Sequence, residues 1–184
     1  MLNLNLYFKY MKTALLKFNG AILLIWLATA TAGAQIKRPH LLVGANISYF
    51  NPQGDFANEN KFGAGGEISA GIGVEKIFLV ATLGTSTFFA ENKIAKSNFT
   101  VKPVKIGIRH FFLAKRLFIN GNLGMANVKD KSTGNSQNRF TRDIGAGVRL
   151  FGLEGGLYYG GWKSINSTGF SNSVQVKIGW STVL

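Results

Sequence analysis

The stretch Phe140–Trp162, FTRDIGAGVRLFGLEGGLYYGGW, decides the fold. Ile144, Ala146, Val148 and Leu150 share one parity, while Asp143 and Arg149 share the other. Apolar residues recurring at period two mark a strand with one apolar face. Phe151-Gly152 supplies a very tight turn, and a second run starts at Leu153. With two residues in the turn, Arg149 and Glu154 fall directly opposite each other on the charged parity. A cross-strand ion pair is expected there, worth about 0.2–1 kcal/mol.

The pattern extends over the rest of the chain. Strands are predicted at Leu41–Phe50, Phe62–Val74, Ile77–Phe89, Val101–Phe112, Leu117–Val128, Phe140–Phe151, Leu153–Trp162 and Ser173–Leu184. The connections alternate long and short. Polar loops hold Asn51–Asp55, Glu91–Asn98, Lys129–Arg139 and Ser164–Asn172, and tight turns fall at Glu75-Lys76, Leu113–Arg116 and Gly152. Lys129–Arg139 is the longest and most polar loop, with moderate flexibility expected. Nothing shows sustained helical periodicity, and no linker divides the chain, so one domain is expected.

The charges show which face meets what. Leu41, Val43, Ile47, Ile68, Ile72, Leu79, Val104, Ile106, Leu123, Val176 and Ile178 all fall on the uncharged parity. The opposite parity holds Glu67, Lys105, Arg109, Asp143, Arg149, Glu154 and Lys177, with many Gly, Ser and Asn. A soluble barrel would put its apolar face inside and its charges outside. A lipid-facing Lys or Arg near the membrane midplane costs about 2–4 kcal/mol, so this sorting implies lipid outside and a polar interior. The expected fold is all-β: an eight-stranded antiparallel up-and-down transmembrane β-barrel. Outer-membrane barrels pair short periplasmic turns with longer external loops, which puts both chain ends in the periplasm.

Lys102 and Arg142 break the parity near the predicted external strand ends, where lipid phosphates lie and the penalty falls to roughly 0–1 kcal/mol. Aromatics gather near strand ends too, among them Tyr49, Phe50, Phe62, Phe88, Phe89, Phe99, Phe111, Phe112 and Phe140. They suit interfacial girdles, although parity turns some of them inward. The interior of an eight-stranded barrel is just wide enough for side chains to fill. The inward charges are therefore expected to form a plugging network, with Lys105, Arg109 and Lys177 as candidate partners of Glu67.

An export signal precedes the strands. Lys12 and Lys17 flank the apolar run Ala21–Ala28, and Ala32-Gly33-Ala34 stands before Gln35. Positive flank, short apolar core and small-residue cleavage site are the parts of a secretory signal. Residues 1–34 are assigned to it, with Met11 as the expected start, and 35–184 to the barrel. Removing Lys9, Lys12 and Lys17 leaves 18 Lys and Arg against 8 Asp and Glu, a net +10. These charges are scattered without basic runs, so anionic lipid headgroups explain the sign better than nucleic acid does. The chain has no cysteine, which removes disulfides, thiolate metal sites and thiol nucleophiles.

The signal, the first loop Asn51-Pro52-Gln53-Gly54-Asp55-Phe56-Ala57 and the Gly-rich Phe62-Gly63-Ala64-Gly65-Gly66 carry a resemblance. The chain resembles the small porin-like outer-membrane β-barrels common in Bacteroidetes, related in architecture to OmpA/OmpX-type barrels. Lys177, Gly179 and the terminal hydrophobe Leu184 look like the C-terminal assembly signal of such proteins. Thr182 and the non-aromatic last residue depart from it. The resemblance implies outer-membrane lipids, lipopolysaccharide and the barrel-assembly machinery as partners.

Chemistry is sparse. Lipid-modifying enzymes of this strand count use His and Ser near the outer leaflet. His40 and His110 fall at the periplasmic strand ends, and His110 has lipid-facing parity, so no catalytic residue is assigned. Asp55, Glu59 and Glu91 lack calcium-loop spacing, and no cofactor or metal is expected. The expectation is a monomer with a plugged lumen and a structural role, or one meeting an unknown ligand through its external loops. A narrow diffusion channel is the alternative.

Overall fold

The computed structural model describes residues 38–90, 98–131, 134–164 and 169–184. The expected signal and its cleavage site lie outside the described residues, as do parts of the Glu91–Asn98 and Ser164–Asn172 loops. The strands are β1 (His40–Pro52), β2 (Asn60–Val74), β3 (Ile77–Ala90), β4 (Phe99–Phe112), β5 (Leu117–Asp130), β6 (Ser136–Leu150), β7 (Leu153–Lys163) and β8 (Phe170–Val183). Each pairs antiparallel with the next, and β1 pairs with β8, closing the barrel. The seam is completed by Leu184 N–H donating to the Leu41 carbonyl at 2.8 Å and Leu41 N–H donating to the Leu184 carbonyl at 3.1 Å.

Exposure alternates along most of the barrel wall as the sequence predicts, and β7 departs from it where Gly160, Gly161 and Trp162 are all buried. Ile47, Ile68, Ile144 and Ile178 on the outer face are 60–71% exposed. A continuous apolar belt of this kind is far beyond the patches that water-soluble monomers tolerate. Closure leaves no strand edge with unpaired backbone groups, as a bilayer requires. The chain folds as an eight-stranded antiparallel up-and-down transmembrane β-barrel.

One end of the barrel, the turn end, carries the tight connections. Phe151 (φ 52°) and Gly152 (φ 90°) are both left-handed, the type I′ geometry that matches the twist of a two-residue hairpin. Phe151 belongs to this turn rather than to the strand predicted to include it. Between β4 and β5, Leu113, Ala114 and Lys115 are all left-handed, with φ of 43°, 53° and 64°.

At the opposite, loop end the strands outrun the prediction. Lys129–Arg139, expected to be loop, is mostly sheet: Lys129 pairs with Ser136 and Val128 with Gln137. Asn127 Nδ2 donates to Asn138 Oδ1 at 3.0 Å, and Ser136 Oγ donates to Asn127 Oδ1 at 2.8 Å. Beyond the apolar belt neither face of a hairpin must be apolar. Period-two hydrophobicity therefore fades there while backbone pairing continues. The first loop also holds structure, a 3-10 turn at Gly54–Asn58 that buries Phe56.

Candidate functional site in the barrel lumen

Four buried charges meet at mid-lumen, one from each even-numbered strand: Glu67, Lys105, Asp143 and Lys177. Lys105 Nζ lies 2.6 Å from Glu67 Oε1 and 2.5 Å from Asp143 Oδ2. Lys177 Nζ lies 2.6 Å from Glu67 Oε2 and 4.4 Å from the centre of the Tyr158 ring. Asn122 Nδ2 donates to the second Asp143 oxygen at 2.5 Å. The two ammonium groups balance the two carboxylates, so the chain Lys177–Glu67–Lys105–Asp143 is neutral. Breaking a buried pair by removing one partner costs about 3–5 kcal/mol, because the remaining charge is stranded.

The strand register makes room for these groups. Each charge has a glycine opposite it on one neighbouring strand: Glu67 faces Gly84, Lys105 faces Gly124, Asp143 faces Gly160 and Lys177 faces Gly156. On the other side each faces a small polar residue: Asn46, Thr82, Asn122 and Ser48, respectively. A Cβ on Gly124 would stand 2.7 Å from Lys105 Cα. At Gly84 and Gly160 an added Cβ would meet the charged side chain itself, 2.8 Å from Glu67 Cγ and 2.5 Å from Asp143 Cβ, so these two glycines leave the volume that those side chains occupy.

Nearer the turn end, the predicted Arg149–Glu154 pairing is corrected. The two residues are opposite in register, but Glu154 binds Arg109, which reaches across from β4. Arg109 Nη1 lies 3.1 and 3.0 Å from the two Glu154 oxygens. The Arg109 guanidinium also stacks 4.7 Å from the Phe118 ring centre. Ser181 Oγ donates to Glu154 as well. Arg149 instead lies 5.6 Å from the Phe111 ring centre and donates from Nη2 to the Ser181 carbonyl at 3.2 Å. Opposition in register gives proximity, but a guanidinium that is both stacked and chelated by one carboxylate outcompetes it. Arg109, expected as a candidate partner of Glu67, thus serves Glu154.

Apolar clusters flank the charged layer. Towards the turn end, Leu42, Phe78, Val80, Phe111, Phe118 and Tyr158 pack together. Towards the loop end, Phe50, Phe56, Phe88 and Trp162 pack with Val101, Ala126 and Val128. Phe56 stands edge-on to Trp162 with ring centres 5.1 Å apart, and Phe88 lies 5.0 Å from the same indole. Between this cap and the charges lies a cavity of about 30 Å³ touching Glu67, Lys105, Asp143 and Gln175, about the volume of one water molecule.

Both parity breaks are present in the barrel. Lys102 and Arg142 are exposed on the outer face in unbroken register. The Arg142 guanidinium lies 4.2 Å from the Phe170 ring centre. Tyr49, Phe62 and Phe89 stack in a row on the same outer face, whereas Phe50, Phe88 and Phe111 turn inward. His40 opens β1, and His110 pairs with Ile77 at the turn end, its ring 4.2 Å from that of Phe112. Gly179 faces Asn46 and Glu154 across its two neighbouring strands. Among the described residues no group of three His, Asp or Glu side chains is placed to hold a metal.

A family model described as outer membrane protein beta-barrel domain matches residues 20–154 of the 184. The chain belongs to this family. Among solved structures, the outer-membrane barrel is similar to Neisserial surface protein A, at 12% identity and a TM-score of 0.56. That match covers 77% of this chain and 96% of the other. It is also similar to the Yersinia pestis outer membrane protein Ail in a phospholipid bilayer nanodisc, at 14% identity and a TM-score of 0.50, covering 76% and 99%. At these identities the likeness is one of fold. No curated protein matches the chain.

The sequence reading missed the loop-end cap of this outer-membrane barrel. Phe56 lies in a polar loop, where no alternation marks it as inward-facing. The signal was Asn51-Pro52-Gln53-Gly54-Asp55 just before it: Gly54 is left-handed (φ 60°) and starts the turn that folds Phe56 back over the lumen.

Proposed function

We propose that this outer-membrane barrel is closed along its axis by its own side chains and acts through its loop end, as a structural element of the membrane or by meeting partners at the surface. The observation that carries the reading is the neutral charged layer held between two apolar clusters. A solute crossing the lumen would have to break ion pairs buried from water and also part aromatic rings. In this reading the tight turns and both ends of the strand array face the periplasm, as short connections do in such barrels. The barrel is a monomer without catalysis, exported by a signal cleaved after Ala34 and inserted by the barrel-assembly machinery. Its affinity with OmpA/OmpX-type barrels of Bacteroidetes belongs to the same proposal. Lys102 and Arg142 meet phosphates of the surrounding lipid, including lipopolysaccharide, at the loop-end boundary of the apolar belt.

Osmotic swelling of proteoliposomes tests the closure. Vesicles carrying the barrel should swell in a pentose solution no faster than protein-free vesicles. Fast swelling would favour a narrow diffusion channel. Because the chain has no cysteine, orientation can be read by labelling whole cells with a membrane-impermeant maleimide. Asn135→Cys should label and Lys115→Cys should not, and the reverse pattern would invert the topology.

A further inference from the structure

We propose that the cleft between the β4–β5 and β6–β7 turns binds the headgroup of an anionic phospholipid, whose acyl chain lies along the adjoining outer face. The inference goes beyond the closed lumen and depends neither on that closure nor on which side of the membrane the turns face. Both turns lie wholly within the described residues. The cleft, about 380 Å³, has Lys115, Arg116 and Arg149 in its lining and no acid. The pairing of Leu117 with Val148 is carried one residue further by Arg149 N–H, which donates to the Arg116 carbonyl at 2.6 Å. Two arginines therefore stand opposite each other on neighbouring strands, and like charges so placed destabilise a sheet.

Among the described residues no carboxylate is ion-paired with any of the three bases. Arg149 gives Nη2 to the Ser181 carbonyl and lies over the Phe111 ring, contacts that leave its charge unneutralised, and its buried Nε has no partner. Glu154, opposite Arg149 in register, is held by Arg109 and Ser181. Glu75 lies in the β2–β3 turn and is not in the lining of the cleft. An anion in the cleft would supply the missing countercharge, each base near an anionic lipid being worth about 1 kcal/mol.

The neighbouring surface selects which anion. A groove of about 690 Å³ along Leu113, Leu117 and Val148 shares Ala114, Arg116 and Leu150 with the cleft. Leu117 and Val148 belong to the apolar belt, and Leu113 is 70% exposed beside them. A soluble anion would fill the cleft and leave this groove bare. A zwitterionic headgroup would bring its own cation up to three others. A phosphodiester with an otherwise uncharged headgroup and an acyl chain matches both surfaces. The turn is already fixed, because Arg116 N–H donates to the Phe112 and Leu113 carbonyls, each at 3.1 Å, so little ordering is needed on binding.

Native mass spectrometry of the full barrel, released from maltoside micelles, tests the assignment with phosphatidylglycerol and phosphatidylcholine of identical acyl chains. The first phosphatidylglycerol should bind about tenfold more tightly than phosphatidylcholine. The double variant Lys115→Gln, Arg116→Gln should lose that preference while keeping heat-modifiable gel migration, the mark of a folded barrel. The loop-end variant Lys102→Gln, Arg142→Gln should keep it. Equal affinity for the two lipids, or an undiminished preference in the folded turn-end variant, would overturn the site. So would loss of the preference in the loop-end variant, which would move the lipid to the other end of the belt. Displacement of the lipid by glycerol phosphate alone would make the cleft a site for soluble anions and overturn the lipid assignment.

Discussion

Glu67 and Gly84 face each other across β2 and β3, and a Cβ on Gly84 would stand 2.8 Å from Glu67 Cγ. The missing side chain is the space in which the carboxylate turns towards Lys105 and Lys177. Gly84→Ala should therefore destabilise the barrel by about 1–3 kcal/mol, the usual cost of overpacking. Gly121→Ala is the control, because a Cβ there meets nothing within 4 Å, and it should change stability by less than about 0.5 kcal/mol. Urea unfolding in lipid vesicles measures both. Equal losses would mean that strand glycines matter for backbone reasons alone.

Glu154 distinguishes its two arginines. A double-mutant cycle between Arg109 and Glu154 should give a coupling of about 1–3 kcal/mol, and the cycle between Arg149 and Glu154 should give close to zero. The same unfolding assay reads both cycles. A larger coupling to Arg149 would restore the register neighbour as the true partner.

These two cases mark how far the sequence speaks. Parity along the strands places Glu67, Asp143 and Lys177 in the lumen, because a two-residue period and the cost of charge in lipid act locally. Which lysine meets which carboxylate is set across the barrel, between residues as far apart as Glu67 and Lys177. That depends on relative height, stacking and reach, which no period encodes. The glycines opposite each charge were visible as small inward residues, but their pairing with particular charges needed the register. Phe56 was hidden for another reason: a loop has no periodicity from which to infer a direction.

Ala114 sits in the middle of three consecutive left-handed residues between β4 and β5. Such a conformation costs roughly 1–2 kcal/mol for a residue with a side chain. Ala114→Gly should accordingly raise stability by about 0.5–1 kcal/mol, seen as a higher urea midpoint with an unchanged slope. A lower midpoint would show that the turn is not strained.

Arg142, exposed on the outer face and packed on Phe170, should respond to the surrounding lipid. Adding anionic phospholipid to zwitterionic vesicles should stabilise the barrel, and Arg142→Gln should remove about 1 kcal/mol of that gain, the scale for one base at an anionic surface. An identical gain in the variant would remove lipid phosphate as its partner.

Single-channel recording in planar bilayers tests the closed lumen most directly. The refolded barrel should give no current steps above those of the bare membrane. Glu67→Ala should give none either, because the aromatic clusters above and below the charged layer remain in place. Discrete, reproducible steps from the unmodified barrel would contradict the closure and make the protein a channel.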